Sequence, residues 1–113
     1  MGCVAVSNDD TNLYVTFTGS STDPLVTADW DWGYSTANIP QTGGVPDPTK
    51  FPYSYTFGAG TLAYPFPGVD ISQALNSDTS YLVVSAHATT ASGKNAWASS
   101  PDWGTYYFAY YPS

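Results

Sequence analysis

Glycine and proline interrupt this 113-residue sequence repeatedly, with 10 Gly and 9 Pro. Long helices tolerate such breaks poorly, because glycine destabilises a helix interior and proline removes a backbone donor. Residues that favour extended backbone, chiefly Val, Tyr and Thr, fill the intervals between the breaks. We therefore expect short strands joined by turns, arranged as an all-β, antiparallel β-sandwich.

Alternation of apolar and polar residues predicts seven or eight strands in a single domain over residues 1–113, immunoglobulin-like or jelly-roll-like. The predicted strands are 3–7, 13–18, 25–34, 51–57, 61–66, 81–88, 95–98 and 106–111. Residues 58–60 (GAG) are predicted to form a turn, and the Pro- and Gly-rich segment 35–50 a long functional loop. Segment 69–75 fits either a strand or one helical turn, and we favour the strand.

Two predicted strands carry opposite chemistry on their two faces. In strand 25–34, Trp30 and Trp32 share one face, whereas Asp29 and Asp31 share the other. In the central strand 81–88, the aliphatic side chains share one face and His87 lies on the opposite face. We expect the two Trp residues to belong to the core.

The charge balance excludes several partners. All nine acidic residues are Asp, the cations are Lys50 and Lys94 alone, and the net charge is −7. A nucleic-acid or acidic-membrane partner requires clustered cations, so we expect neither. No apolar run approaches the ~20 residues of a membrane-spanning helix, so we expect no membrane insertion. Cys3 is the single cysteine and is read as a strand residue, with an intermolecular disulfide as the alternative.

Several segments in the right order resemble a β-sandwich module that recurs in secreted and cell-surface proteins of bacteria, archaea and some fungi. The segments are VSND (6–9), NLYV (12–15), NIPQT (38–42), KFPY (50–53), the stretch 81–88, AWA (96–98) and WGTYY (103–107). The resemblance implies a β-sandwich fold and an extracellular or cell-surface location. The module has no settled biochemical activity, so the resemblance implies no reaction.

Two departures from this module concern candidate site residues. The module has aliphatic residues where this chain has Trp30 and Trp32, which implies a locally enlarged core. It often has His near the position of Asp29 and Glu near that of Lys94. This chain keeps only His87 of that polar trio, so a site built on the trio would be altered or absent here.

The residue types present give little support for a catalytic function. A Ser or Cys nucleophile needs a positioned base, and His87 is the only histidine. Asp29 and Asp31 lie ~7 Å apart at Cα in a strand, near the separation of a retaining glycosidase pair. Such carboxylate pairs lie in a deep cleft, and a chain of 113 residues has little length from which to build one. We expect that the protein is not an enzyme.

Metal binding is a weaker alternative, and we expect no cofactor. The hairpin tip at residues 8–12 offers Asp9 and Asp10 to calcium, but it lacks the Gly and distal Glu of an EF-hand loop. Asx-rich turns also form without metal. Asp29 and His87 could share a transition metal only if their strands are neighbours.

Carbohydrate binding fits the composition best, because sugar rings stack on aromatic side chains and carboxylates orient hydroxyl groups. We predict Asp29, Asp31, Trp103 and Tyr107 as contact residues, with the 35–50 loop as a rim, for a glycan or cell-surface polymer ligand. The C-terminal stretch carries aromatic rings on both faces, so one set must face solvent or a partner. Tyr rings that lie flat on a sheet are the competing explanation.

Self-association explains the same aromatic residues differently. An exposed Tyr-rich face or strand edge is a contact surface for a second copy, and few Lys protect the edges here. The alternative function is therefore a self-assembling structural subunit of a cell-surface layer or filament, in which the chain forms a homo-oligomer.

Overall fold

The computed structural model describes residues 3–77, 80–100 and 102–112. These residues form eleven strands, one short helix α1 (Ser72–Leu75) and two 3-10 turns (Thr36–Asn38 and Pro48–Lys50). The strands are β1 (Cys3–Asn8), β2 (Asn12–Thr18), β3 (Leu25–Gly33), β4 (Gln41–Thr42), β5 (Val45–Pro46), β6 (Tyr53–Thr61), β7 (Ala63–Pro65), β8 (Val69–Asp70), β9 (Leu82–Thr90), β10 (Asn95–Trp97) and β11 (Phe108–Tyr110). In this part of the chain, no helix is long and apolar enough to cross a bilayer.

In the described residues, two large antiparallel sheets pack together, and β4 and β5 form a separate two-stranded sheet. The first has the order β1-β2-β7, with β8 beside β7 on the same edge of β2. The second has the order β10-β9-β3-β6, with β11 beside β10 on the same edge of β9. The expected all-β architecture of packed antiparallel sheets is confirmed.

The core lies between the two sheets and follows the alternation of the strands. Leu13, Val15 and Phe17 of β2 are buried, and Leu82 and Val84 of β9 are buried with them. The residues of β2 that alternate with these inward side chains are half-buried and face away from the core. The alternating pattern therefore predicts the buried face of β2 correctly.

Trp30 is the largest fully buried side chain. Its ring stacks on Tyr53 at a centroid distance of 4.5 Å and meets Phe66 edge-on at 6.2 Å. Trp32 is half-buried and packs against the same core. The prediction that the two Trp residues belong to the core is confirmed for Trp30, while Trp32 lies at the periphery of the core.

Segment 35–50 was expected to contain no regular structure, and this expectation was wrong. The two 3-10 turns lie in this segment, and β4 pairs with β5 between them. Gly43 and Gly44 join the two strands with φ values of 63° and 81°. Positive φ at both central positions is what a tight two-residue hairpin turn requires, and glycine adopts it without steric cost.

Two further expectations differ from the structure. Residues 58–60 do not form a hairpin turn, because β6 continues to Thr61 and pairs there with Leu25 after a register shift. Segment 69–75 is a strand only at its start and then turns into α1. Ile71 and Ala74 are buried, and a spacing of three residues places both on one side of a helical turn.

The indole of Trp30 gives a stability prediction. Its Nε1 is buried and has no hydrogen-bond partner among the described residues, and an unpaired buried donor costs ~1–3 kcal/mol. Trp30→Ala should lower the free energy of unfolding by ~3–5 kcal/mol. Trp30→Phe should cost less than ~2 kcal/mol, because removal of the unpaired N–H offsets part of the lost packing. Urea unfolding measures both variants, and equal losses would contradict the prediction.

Candidate functional site

The outer face of the second sheet carries a row of polar side chains. Asp29 and Asp31 of β3 lie directly opposite His87 and Ser85 of β9 in the antiparallel pairing. Successive residues of a strand point to opposite faces, so these four side chains lie on the side away from Trp30. The condition set for a shared Asp29–His87 site, that their strands are neighbours, is met.

His87 is held by the two strands that flank β9. Its Nδ1 lies 3.3 Å from Asp29 Oδ2, and its Nε2 lies 2.9 Å from Asn95 Oδ1 on β10. The Trp97 ring packs against the imidazole at a centroid distance of 4.6 Å. An amide can turn either its oxygen or its nitrogen toward Nε2, so Asn95 can satisfy the imidazole with or without a proton there. His87 therefore joins three strands in one polar chain.

Asp31 and Ser85 form the second, deeper part of the row. Ser85 is fully buried, and its hydroxyl donates to the Tyr106 carbonyl at 2.9 Å. Asp31 is 8% exposed, and its Oδ1 accepts from the Trp32 backbone N–H at 2.8 Å. Burial raises the pKa of the Asp31 carboxyl above its usual value, and the Trp32 N–H opposes this rise only in part.

A second apolar cluster covers this face, and we call it the outer layer. Ile39, Phe51 and Val83 are its buried members. The half-buried rings packed against them are Tyr81, Trp97, Trp103 and Tyr107. Both faces of the second sheet are thus covered, which accounts for the unbroken burial of β9 from Leu82 to Ala88.

The four predicted sugar-contact residues lie on the same side of the second sheet, in two different layers. Asp29 and Asp31 lie in the sheet, and their carboxylates bond to His87 and to the Trp32 backbone. Trp103 and Tyr107 belong to the outer layer and are half-buried. Sequence alternation placed the Asp pair on the outer face, but it gave no signal that Ile39 and Phe51 would cover that face.

Three rings of the outer side form a contacting row, which we call the aromatic row. The Tyr81 centroid lies 5.5 Å from that of Trp103 and 5.8 Å from that of Tyr111. Tyr111 is 65% exposed, and the other two rings are half-buried. Thr105, which is exposed, follows Trp103 closely in the chain and brings a hydroxyl group.

The side chains that catalysis or metal binding would use, Ser85 and His87, are bonded to other groups of the protein. The Ser85 hydroxyl donates to a backbone carbonyl, and both nitrogens of His87 face Asp29 and Asn95. No cluster of three or more His, Cys, Asp or Glu side chains suited to a metal occurs in the described part of the chain. The expectation that the protein is not an enzyme stays a prediction.

The Asp9 carboxylate at the β1–β2 tip accepts hydrogen bonds from its own turn. Oδ1 accepts from the backbone N–H groups of Thr11 and Asn12, and Oδ2 accepts from the Tyr14 hydroxyl. These donors, with Tyr14 first, lower the pKa of Asp9 to about 2. The ionised Asp9 carboxylate therefore stabilises the turn at pH values above the ordinary Asp pKa, and this stabilisation is lost as the pH falls toward 2.

A groove opens on one lateral side of the sandwich, between the first residues of β1 and strand β10. We call it the β1–β10 groove, and its volume is about 510 Å³. Its apolar lining includes Val4, Phe17, Leu25, Ala86, Ala88 and Ala98. Sequence reasoning missed this site, although the inward side chains of β9 shrink from Leu82 and Val84 to two alanines, a signal of missing volume.

Compared with protein-family models, with curated proteins and with solved structures, the chain has no match in any of the three. The resemblance to a surface-protein module therefore stays a prediction.

The buried Asp31 carboxyl gives a pH-dependent prediction. Because its pKa is raised in the folded protein, folding is favoured at low pH and loses this contribution as the pH rises from the ordinary value of 3.8 through the raised value. Asp31→Asn keeps an oxygen for the Trp32 N–H without a buried charge. We expect a higher free energy of unfolding than wild type at pH 7 and a difference that shrinks below pH 3.8.

Urea unfolding at both pH values checks this prediction. Asp10→Asn is the matched control, because it removes the same charge from an exposed position. A lower or unchanged stability of Asp31→Asn at pH 7 would contradict the prediction.

Proposed function

We propose that the chain is a non-catalytic binding or adhesion module of an extracellular or cell-surface protein, with carbohydrate as its ligand class. The observation that carries the proposal is the aromatic row of Trp103, Tyr81 and Tyr111, which begins in the outer layer and ends at a largely exposed ring. The location follows from the resemblance to the surface-protein module.

The chemistry of the aromatic row suits a sugar. The apolar face of a pyranose ring packs on an aromatic ring, and nearby hydroxyl and carboxylate groups orient its hydroxyls. Trp103 has the exposed residues Asp102 and Thr105 beside it in the chain, and Tyr107 packs in the same layer. Polar and apolar groups therefore occur together at this end of the outer layer.

The predicted contact residues have different roles in this proposal. Trp103 and Tyr107 contact the ligand through their exposed parts. Asp29 and Asp31 are bonded to His87 and to the Trp32 backbone, so they stabilise the sheet that supports the rings. The rigidity of this support lowers the entropic cost of binding, because the rings are held in place before the ligand arrives.

A glycan array tests the proposal. We expect Tyr111→Ala to weaken binding at least tenfold, because removal of a stacking ring costs ~1.4 kcal/mol or more. Tyr111 is mostly exposed, so this variant should fold normally. Trp103→Ala should abolish binding, with its fold checked by a cooperative urea-unfolding transition.

Tyr55→Ala is the matched control, since Tyr55 is 49% exposed and its ring contacts Phe57 and Tyr64 rather than the aromatic row. An array on which the wild type binds no glycan would reject the carbohydrate proposal. Equal binding by Tyr111→Ala and wild type would reject the aromatic row as its site.

A self-assembling subunit is the second candidate, and the sheet edges favour it. In the described part of the chain, β1 and β6 end their sheets and have a strand partner on one side only. An unpaired edge can accept a strand from another copy. The net charge of −7 would oppose close packing of copies unless salt or divalent cations screened it.

Light scattering with and without calcium tests this second candidate. Assembly through strand edges should produce large particles whose size increases with calcium, because the cation bridges or screens carboxylates. A monodisperse monomer under both conditions would reject it. That result would leave the carbohydrate proposal intact, because glycan binding requires no assembly.

A further inference from the structure

The β1–β10 groove exists because small side chains replace large ones at one end of the core. Leu82 and Val84 fill the space between the sheets, whereas the smaller side chains of Ala86 and Ala88, next along β9, line the groove. Ala96 of β10 lines the same groove. The resulting volume of about 510 Å³ lies within the range of small-molecule sites, ~300–1,000 Å³.

The walls and the mouth of the groove differ in chemistry. Aliphatic and aromatic side chains form most of the interior, including Val4, Phe17 and Leu25. Asp23, Thr90 and Lys94 also line the groove and form a polar group at its solvent boundary, which we call the mouth, since Thr90 donates to Asp23 and Lys94 is exposed. An apolar interior with a polar mouth fits an amphipathic ligand that has a single polar end.

The charged groups at the mouth indicate which charge the polar end of the ligand carries. The Asp23 carboxylate already accepts bonds from the Ser92 backbone N–H and hydroxyl and from the Thr90 hydroxyl. Those bonds lower the Asp23 pKa, and the positive charge of Lys94 lowers it further. Asp23 is therefore ionised and bonded within the protein at neutral pH.

The Lys94 charge acts on Asp23, but the Lys94 ammonium group makes no hydrogen bond and no ion pair within residues 3–77, 80–100 and 102–112. The other lysine, Lys50, lies within hydrogen-bond distance of the Thr42 hydroxyl at 3.5 Å. A cation with unused donors beside an apolar groove is complementary to an anion that carries an apolar chain.

We propose that the β1–β10 groove binds a small apolar monocarboxylate, with its hydrocarbon chain between the sheets and its carboxylate on Lys94 Nζ. The site lies between β1 and β10, apart from the aromatic row, and takes a different class of ligand from the carbohydrate proposed above. The two proposals can therefore fail independently.

Titration with sodium decanoate at pH 7, followed by isothermal calorimetry, tests the proposal. Lys94→Gln should weaken decanoate binding at least tenfold, because it removes the cation that pairs with the carboxylate. Lys50→Gln is the matched control and should bind decanoate as wild type does.

An uncharged ligand and variants that fill the groove separate binding of the hydrocarbon chain from pairing of the carboxylate with Lys94. Decanol, which has the same chain without the carboxylate, should bind wild type and Lys94→Gln equally. Ala88→Leu should abolish binding of both ligands by filling the groove. Because Ala88 is buried and its variant risks misfolding, Ala96→Leu serves as the second filling variant at an exposed position.

Cys3 gives an independent readout, because it lies at the edge of the groove and is the only cysteine. Decanoate should slow the reaction of Cys3 with a thiol reagent in wild type and not in Ala96→Leu. Failure of decanoate to bind wild type, or equal binding by wild type and Lys94→Gln, would overturn the proposal. A dimer that Ala96→Leu dissociates in the absence of ligand would also overturn it, since a second copy would then occupy the groove.

Discussion

The antiparallel pairing of β3 with β9 determines the chemistry of both faces of the second sheet. It places Trp30 opposite Ala86 on the inner face and Asp29 opposite His87 on the outer face. A shift of one residue in either strand would turn the carboxylates and the imidazole into the core. Burial of unpaired charge is far more costly than a lost apolar contact, so this register is strongly favoured.

The side-chain volume varies along this pairing and gives the core its shape. The Trp30 indole occupies space beside the small side chain of Ala86 and is held from the other side by Tyr53. Toward the other end of β9, Ala88 pairs with Ala28, so neither strand fills the space there. The enlarged core at Trp30 and the β1–β10 groove are therefore two results of one distribution of side-chain volume.

Most of the aromatic content serves packing. The expectation that one set of C-terminal rings faces solvent or a partner is only partly met: Phe108 and Tyr110 pack against the main core, Tyr107 joins the outer layer, and Tyr111 is exposed. Part of the acidic charge lies in turns, where Asp9 is bonded to its own turn. In the proposed function, the exposed ends of the aromatic clusters are the parts that would contact the ligand.

Alternation along the strands was sufficient to predict the inner face of β2, the burial of Trp30 and the outer position of His87, because side-chain direction in a strand depends only on the local period of two. The segment from Ile39 to Phe51 docks on the outer face through contacts with Val83, which is distant in sequence. No local pattern specifies such a contact. The tertiary structure alone therefore decided that Asp31 is buried, that Asn95 meets His87, and that two sheet edges leave a groove lined in part by Lys94.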